Sequence, residues 1–248
     1  MRPPGNLMLA AFGPDIEFLR PHLRAIHLAP GQVLTEPGEP IDCVYFLLHG
    51  AVSKMTVFED GTEIECLIVG REGAVGLTSI LGVRRALTRN VCHMPVRAYV
   101  IEAGRMTSIV RAAPHMRQVI DRYAAWMLSC GIRNGACNAR HAVEPRLCRW
   151  LLTCCDLLDT REIRLPQDVF AKMLGVQRTS VNPILQHLRS DGLIDLGRSR
   201  LTVMDSRSLR TRACECYAAG QAAANELWAP FGHDGSGDGP IRSAGSAA

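Results

Sequence analysis

One stretch constrains this chain more than any other: Gln167 to Leu188, QDVFAKMLGVQRTSVNPILQHL. Ala171, Gly175, Val181 and Ile184 fall at successive intervals of four, six and three residues. A small residue on a first helix lets a second approach closely. A glycine supplies the positive φ that a tight turn requires. Two branched apolar residues then anchor the second helix and leave its polar face outward. The spacing predicts a helix-turn-helix, the arrangement that lays its second helix into the DNA major groove. Gln177, Arg178, Thr179, Ser180 and Asn182 are polar at or near the start of that second helix and are the expected DNA contacts. Gln177 and Asn182 have the donor–acceptor pair that matches an adenine edge, and Ser180 suits a phosphate. Pro183 sits inside the helix, where it removes a backbone donor.

The segment Leu193–Leu196, Arg200–Met204 reads as a hairpin around Gly197-Arg198-Ser199, a wing that carries Arg198 and Arg200 at or beside its tip, placed for phosphate. Charge agrees. Residues 139–213 hold 13 Lys and Arg against 8 Asp and Glu, an excess of five in a chain whose total is +4. A basic segment is what attraction to phosphate needs.

Upstream, Arg24 to Glu102 is β-like. The expected strands are Ala25–Leu28, Gln32–Thr35, Cys43–Leu48, Ala51–Phe58, Glu63–Val69, Ala86–Cys92 and Val96–Ile101, punctuated by Gly and Pro. Asp60-Gly61 between two such runs is a hairpin signal. Short strands with frequent turns imply a barrel or sandwich.

The period then changes. After Pro114, the residues Met116, Ile120, Tyr123, Met127, Cys130, Asn134 and Cys137 alternate spacings of four and three. This is a heptad seam on a helix from Pro114 to Asn138, expected to pair with a second copy of the chain, with Asn134 setting register. Val119 and Trp126 form a second stripe suited to packing on the β domain. Val143–Leu158 is a further helix, and Ser206–Leu227 a last one. The Gly- and Ser-rich tail, 228–248, has the composition of a disordered segment.

Taken in order, the β domain, long helix and winged helix-turn-helix resemble the CRP/FNR superfamily of bacterial transcription regulators. The resemblance is carried by PGQVLTEPGEPIDCVYFLLHGAVSKM (30–55), RLCRWLL (146–152) and LPQDVFAKMLGVQRTSVNPILQHLRSDGLI (165–194). It implies an α+β protein: an N-terminal antiparallel β-roll of jelly-roll type over 12–104, a dimerisation helix region over 105–139, and a winged helix-turn-helix over 140–213. It also implies a homodimer that binds an imperfect palindrome in double-stranded DNA, with RNA polymerase as partner if it activates. Arg178 aligns with the arginine such proteins use on guanine or a nearby phosphate. Thr179 and Pro183 stand where the cyclic-AMP type has glutamate and a second arginine, so its half-site preference does not transfer.

The effector is less legible. In cyclic-nucleotide members a Gly-Glu pair holds ribose and an Arg-Ser pair holds the phosphate. Here Gly76 is followed by Leu77, and Arg85 by Ala86 and Leu87. Leu77 cannot accept hydroxyl bonds and Ala86 cannot donate to phosphate, so Gly76, Leu77 and Arg85 mark only the position of such a pocket. An iron–sulfur cluster is not expected, because the first cysteine is Cys43. Haem ligation by His49, His93 or His115 has no supporting motif. With no CxxC pair, no metal and no cofactor is expected.

Ten cysteines in a chain without an export signal read as thiols of a reducing cytoplasm. Cys130 and Cys137, if they face their twins across a dimer, give an alternative reading as a redox sensor. Cys154-Cys155, Cys214 and Cys216 fit as small apolar fillers. A second alternative is a β-roll regulatory subunit of an enzyme, but no GxxxxGK[ST], HExxH or GxSxG motif supports catalysis. No apolar run is long enough for a membrane span.

Overall fold

The computed structural model describes residues 5–165 and 167–231, the side chains of residues 167 and 168 aside. Two short helices, α1 (Leu7–Ala11) and α2 (Ile16–Leu19), precede eight strands. These are β1 (Arg24–Leu28), β2 (Val33–Thr35), β3 (Cys43–His49), β4 (Val52–Val57), β5 (Glu63–Val69), β6 (Ala74–Val75), β7 (Arg89–Cys92) and β8 (Val96–Glu102). They make two antiparallel four-stranded sheets, ordered β1-β8-β3-β6 and β2-β7-β4-β5. Each expected strand is present. The short β6 was not expected, since two residues leave no alternation to read.

The roll is filled by inward-facing Leu28, Leu47, Val52, Val69, Val75, Val96 and Ala98. Gly50 turns β3 into β4 at φ 81, and a Cβ there would lie 2.3 Å from the Pro95 carbonyl oxygen, so only glycine fits. At the N-terminus, Asn6 caps α1 through the Leu9 N–H and donates its amide to the carbonyls of Leu47 and Gly73. That buried side chain pins the first helix to the roll.

Helices follow: α3 (Ala103–Ala112), α4 (Pro114–Arg140) and α5 (Val143–Leu158). The 27 residues of α4 make it about 40 Å long. A small strand β9 (Glu162–Ile163) leads to α6 (Gln167–Leu174) and α7 (Arg178–Ser190), then to β10 (Ile194–Leu196) and β11 (Leu201–Val203). These three strands form one antiparallel sheet, β10-β11-β9.

The seam on α4 does not face outward. Met116, Ile120 and Tyr123 are fully buried in the protomer's own core, among Met8, Phe12, Phe46, Met106 and Trp228. Lower down, Met127 packs against the same cluster. Asn134 donates to the Cys66 carbonyl at 2.8 Å and accepts from Arg149 at 3.0 Å, so it sets no register with a partner. Cys130 is half-buried and Cys137 is buried against Cys214. A heptad reports which residues share a face, and here the chain itself covers that face.

The last helix is two helices, α8 (Ser206–Arg212) and α9 (Cys216–Trp228). Asp205 caps α8, and Ala213 is extended (φ -70, ψ 149), which brings Cys214 back into the interior. Residues 228–231, expected to open the tail, are part of the fold through Trp228 and Phe231. Trp228 is 2% exposed in the core around α4, and Phe231 packs on Trp228 and His115. The remainder of that stretch, 232–248, lies outside the described residues.

Candidate nucleic-acid interface

The geometry of α6 and α7 follows from the four residues singled out in the sequence. Ala171 is buried at the crossing, and Gly175 adopts φ 61 in the turn. Val181 is fully buried. Ile184 is only half-buried, while its neighbour Leu185 is 1% exposed and, with Leu188, does most of the anchoring. The α5 side chain Arg146, itself buried, donates to the Leu174 carbonyl at the end of α6. This satisfies a carbonyl that the helix end leaves free.

With Val181, Leu185 and Leu188 inward, Gln177, Arg178, Thr179 and Ser180 are exposed together at the N-terminal end of α7. Gln177 is the N-cap residue but makes no side-chain capping bond, so its amide is free. Asn182 differs from expectation. It is half-buried and its Oδ1 is shielded from solvent without a hydrogen-bond partner. Of the five residues it is least disposed to reach a base edge. Arg198 is exposed in the wing turn, whereas Arg200 lies 3.6 Å from the Glu162 carboxylate. Pro183 stands within a continuous helix.

The DNA-binding half docks on the sheet β2-β7-β4-β5. Lys172 on α6 pairs with Glu63 at 2.8 Å. Trp150 on α5 donates its indole N–H to Glu65 at 2.6 Å, and Ser53 donates to the other oxygen at 2.5 Å. Burial pushes the Glu65 carboxyl up to about 7, against the pull of those two donors. Met55 and Val91 of the sheet belong to the same cluster as Trp150, Phe170 and Leu174.

The three residues expected at an effector pocket are held by the fold itself, beside a groove of about 910 Å³ lined by Ser79, Ile80, Leu81 and Arg84 together with residues of α3. Gly76 turns the chain at φ 92, Leu77 is buried in the core around α4, and Arg85 donates to the Gly38 carbonyl at 2.7 Å. A cavity of about 230 Å³ lies elsewhere, between β5, α4, α5 and α9. Glu65, Glu72, Trp126, Asn134, Arg149 and Trp228 line it. Glu72 is also buried and its carboxyl is raised to about 7.

The cysteine expectations change too. Burial pushes the Cys130 thiol up to about 11 and raises Cys137 as well, so neither has the low pKa of a reactive thiol. Within the protomer, Cys130 lines the cavity and the Cys137 sulfur lies 3.6 Å from that of Cys214. Cys137, His141, Cys214 and Cys216 come together, a group that a search for CxxC pairs cannot find.

Comparison with known proteins places these features. A cyclic nucleotide-binding domain model matches residues 25–113, and a Crp-like helix-turn-helix model matches residues 145–212. The chain is similar to the global nitrogen regulator of Synechococcus elongatus, at 24% identity over 72% of this chain and 85% of that protein. It is similar to the CRP-like cAMP-activated global transcriptional regulator of Mycobacterium tuberculosis, at 25% identity over 80% and 92%. A transcriptional regulator structure of the crp/fnr family from Eubacterium rectale shares the fold with a TM-score of 0.65 and 16% identity, covering 81% of this chain and 94% of that one. No helix among the described residues is long and apolar enough to cross a membrane. With both domain models matched in this order, the chain belongs to the CRP/FNR superfamily of transcriptional regulators.

Proposed function

We propose that the chain binds an imperfect palindrome in double-stranded DNA as a homodimer, each α7 entering the major groove of one half-site. The observation that carries this is the cluster of Gln177, Arg178, Thr179 and Ser180, exposed at the free end of α7 and backed by a fully buried opposite face. Arg178 is the specificity residue, forming paired hydrogen bonds to guanine. Arg198 contacts phosphate from the wing, and Arg200 does so after exchanging Glu162 for the anion.

The dimer rests on a second feature of α4. Ala125, Leu128, Ile132, Gly135 and Ala139 are exposed at alternating spacings of three and four, and Leu128 and Ile132 are each 66% exposed. This stripe suits a parallel pair in which small residues let the helices approach. Two such protomers present two recognition helices to successive turns of one duplex, with half-sites about 34–36 Å apart. DNA affinity responds to a signal received at the seam between the halves, where the 230 Å³ cavity lies. RNA polymerase is the further partner at promoters where binding activates.

Selection from random duplex DNA tests this. The expected product is a two-fold symmetric site, and Arg178→Ala weakens binding to it by about 1–3 kcal/mol with preference lost at one position per half-site. A site without symmetry, or an Arg178→Ala protein that binds as the parent does, would refute the reading.

A further inference from the structure

We infer that Cys137, His141, Cys214 and Cys216 form a structural zinc site that fastens the end of the long helix to the end of the DNA-binding domain. Their ligand atoms all lie within 4.8 Å of one another. The Cys137 and Cys214 sulfurs are 3.6 Å apart, and the Cys216 sulfur is 3.8 Å from Nδ1 of His141. A tetrahedral zinc with Zn–S near 2.3 Å and Zn–N near 2.0 Å separates its ligands by about 3.5–3.8 Å. The group therefore needs little rearrangement to close on an ion. A multi-iron cluster would need its cysteines further apart than this.

The backbone explains why the four converge. Cys137 lies in the last turn of α4, and His141, four residues on, is its extended C-cap residue (φ -99, ψ 145). The His141 N–H bonds the Cys137 carbonyl, so the last turn is closed. Cys214 and Cys216 flank the break between α8 and α9, and the Cys214 N–H donates to the Pro145 carbonyl at the start of α5. Extended Ala213 turns that break inward.

The surroundings suit a metal centre as well. Nε2 of His141 lies 3.1 Å from the Glu215 carboxylate, leaving Nδ1 to the site. A carboxylate on the second nitrogen of a ligand histidine fixes its tautomer and orientation. Three thiolates and one imidazole around Zn²⁺ leave a net charge of −1. The guanidiniums of Arg146 and Arg149 lie within electrostatic reach of Cys137, and Arg146 Nε is buried without a hydrogen-bond partner. Cys137 and Cys214 are buried while Cys216 and His141 are half-buried, so an ion can enter from one side.

The test is made on the full chain, purified without chelators and without a metal-affinity step. About one zinc per chain is expected by elemental analysis. Cobalt added to the stripped protein should give thiolate charge-transfer bands and the intense visible bands of a tetrahedral ion. Cys216→Ser and His141→Ala, at the accessible side, should abolish stoichiometric zinc while circular dichroism remains native. Glu215→Gln should weaken zinc by about 10–100-fold. Cys43→Ser, remote from the group, should keep it. Metal-free protein that gives no tetrahedral cobalt spectrum, a Cys137–Cys214 disulfide, or iron in place of zinc would each overturn the assignment. None of these outcomes depends on DNA binding, so the site and the operator model fail separately.

Discussion

Glu65 shows how one residue can report on the joint between the two halves. It is buried between β5 and α5, held by Ser53 and Trp150, with its pKa raised from 4.5 to about 7 by burial. Between those values the folded protein keeps a proton that the unfolded chain has released. Stability therefore falls as pH rises through that window and levels off above it. A shift of this size corresponds to about 3 kcal/mol. Glu65→Gln keeps an acceptor for Trp150 and a polar partner for Ser53 without the charge. Urea unfolding at pH 5 and pH 8 should show a smaller loss in the variant, with the residual slope set partly by Glu72. Arg178 is the opposite case: it is exposed, so Arg178→Ala should leave the unfolding midpoint unchanged while weakening DNA binding.

At the scale of elements, α4 and α7 carry the sharpest expectations. The heptad from Met116 to Cys137 is real as a pattern, but residues of the same protomer cover its face. Two heptads run along α4 out of phase, and the second is hard to see because Ala125, Gly135 and Ala139 are small. Periodicity identifies a face; what covers it depends on α1 and α9, which lie more than 200 positions apart. Ile132→Glu should convert dimer to folded monomer in sedimentation, whereas substitutions of buried Ile120 should lower stability. In α7, Pro183 leaves the Thr179 carbonyl without its helical donor. Pro183→Ala should stabilise the chain by about 1–3 kcal/mol in urea unfolding, because proline inside a helix costs up to about 3 kcal/mol against alanine. The helix-turn-helix itself was legible to the residue, apart from Leu185 taking the role given to Ile184 and Asn182 turning partly inward. There a short motif fixes its own geometry through Gly175.

For the whole molecule, the two halves are not beads on a linker. The cluster around Trp150 takes Met55 and Val91 from the roll and Phe170, Leu174 and Val181 from the DNA-binding half. Burying such side chains contributes about 1.5–3 kcal/mol each. Heat or urea should therefore unfold the protein in one transition, with tryptophan fluorescence and circular dichroism coinciding. Two resolved transitions would show that the halves are stable separately. The order of domains could be read from local patterns, but their docking could not, since Lys172–Glu63 and Trp150–Glu65 pair residues more than eighty positions apart. The four metal-ligating residues escaped for the same reason.

Leu227 and Trp228 of α9 share one buried cluster with Met8, Leu9 and Phe12, and α1 and α9 both pack on α4. During synthesis the amino end leaves the ribosome long before α9 exists. The strands can pair early, but the face of α4 that carries Met116, Ile120 and Tyr123 must wait, half-covered, until α9 has emerged. A nascent chain stalled at residue 213 should accordingly be captured by chaperones more avidly than one stalled beyond residue 231 with α9 outside the ribosome.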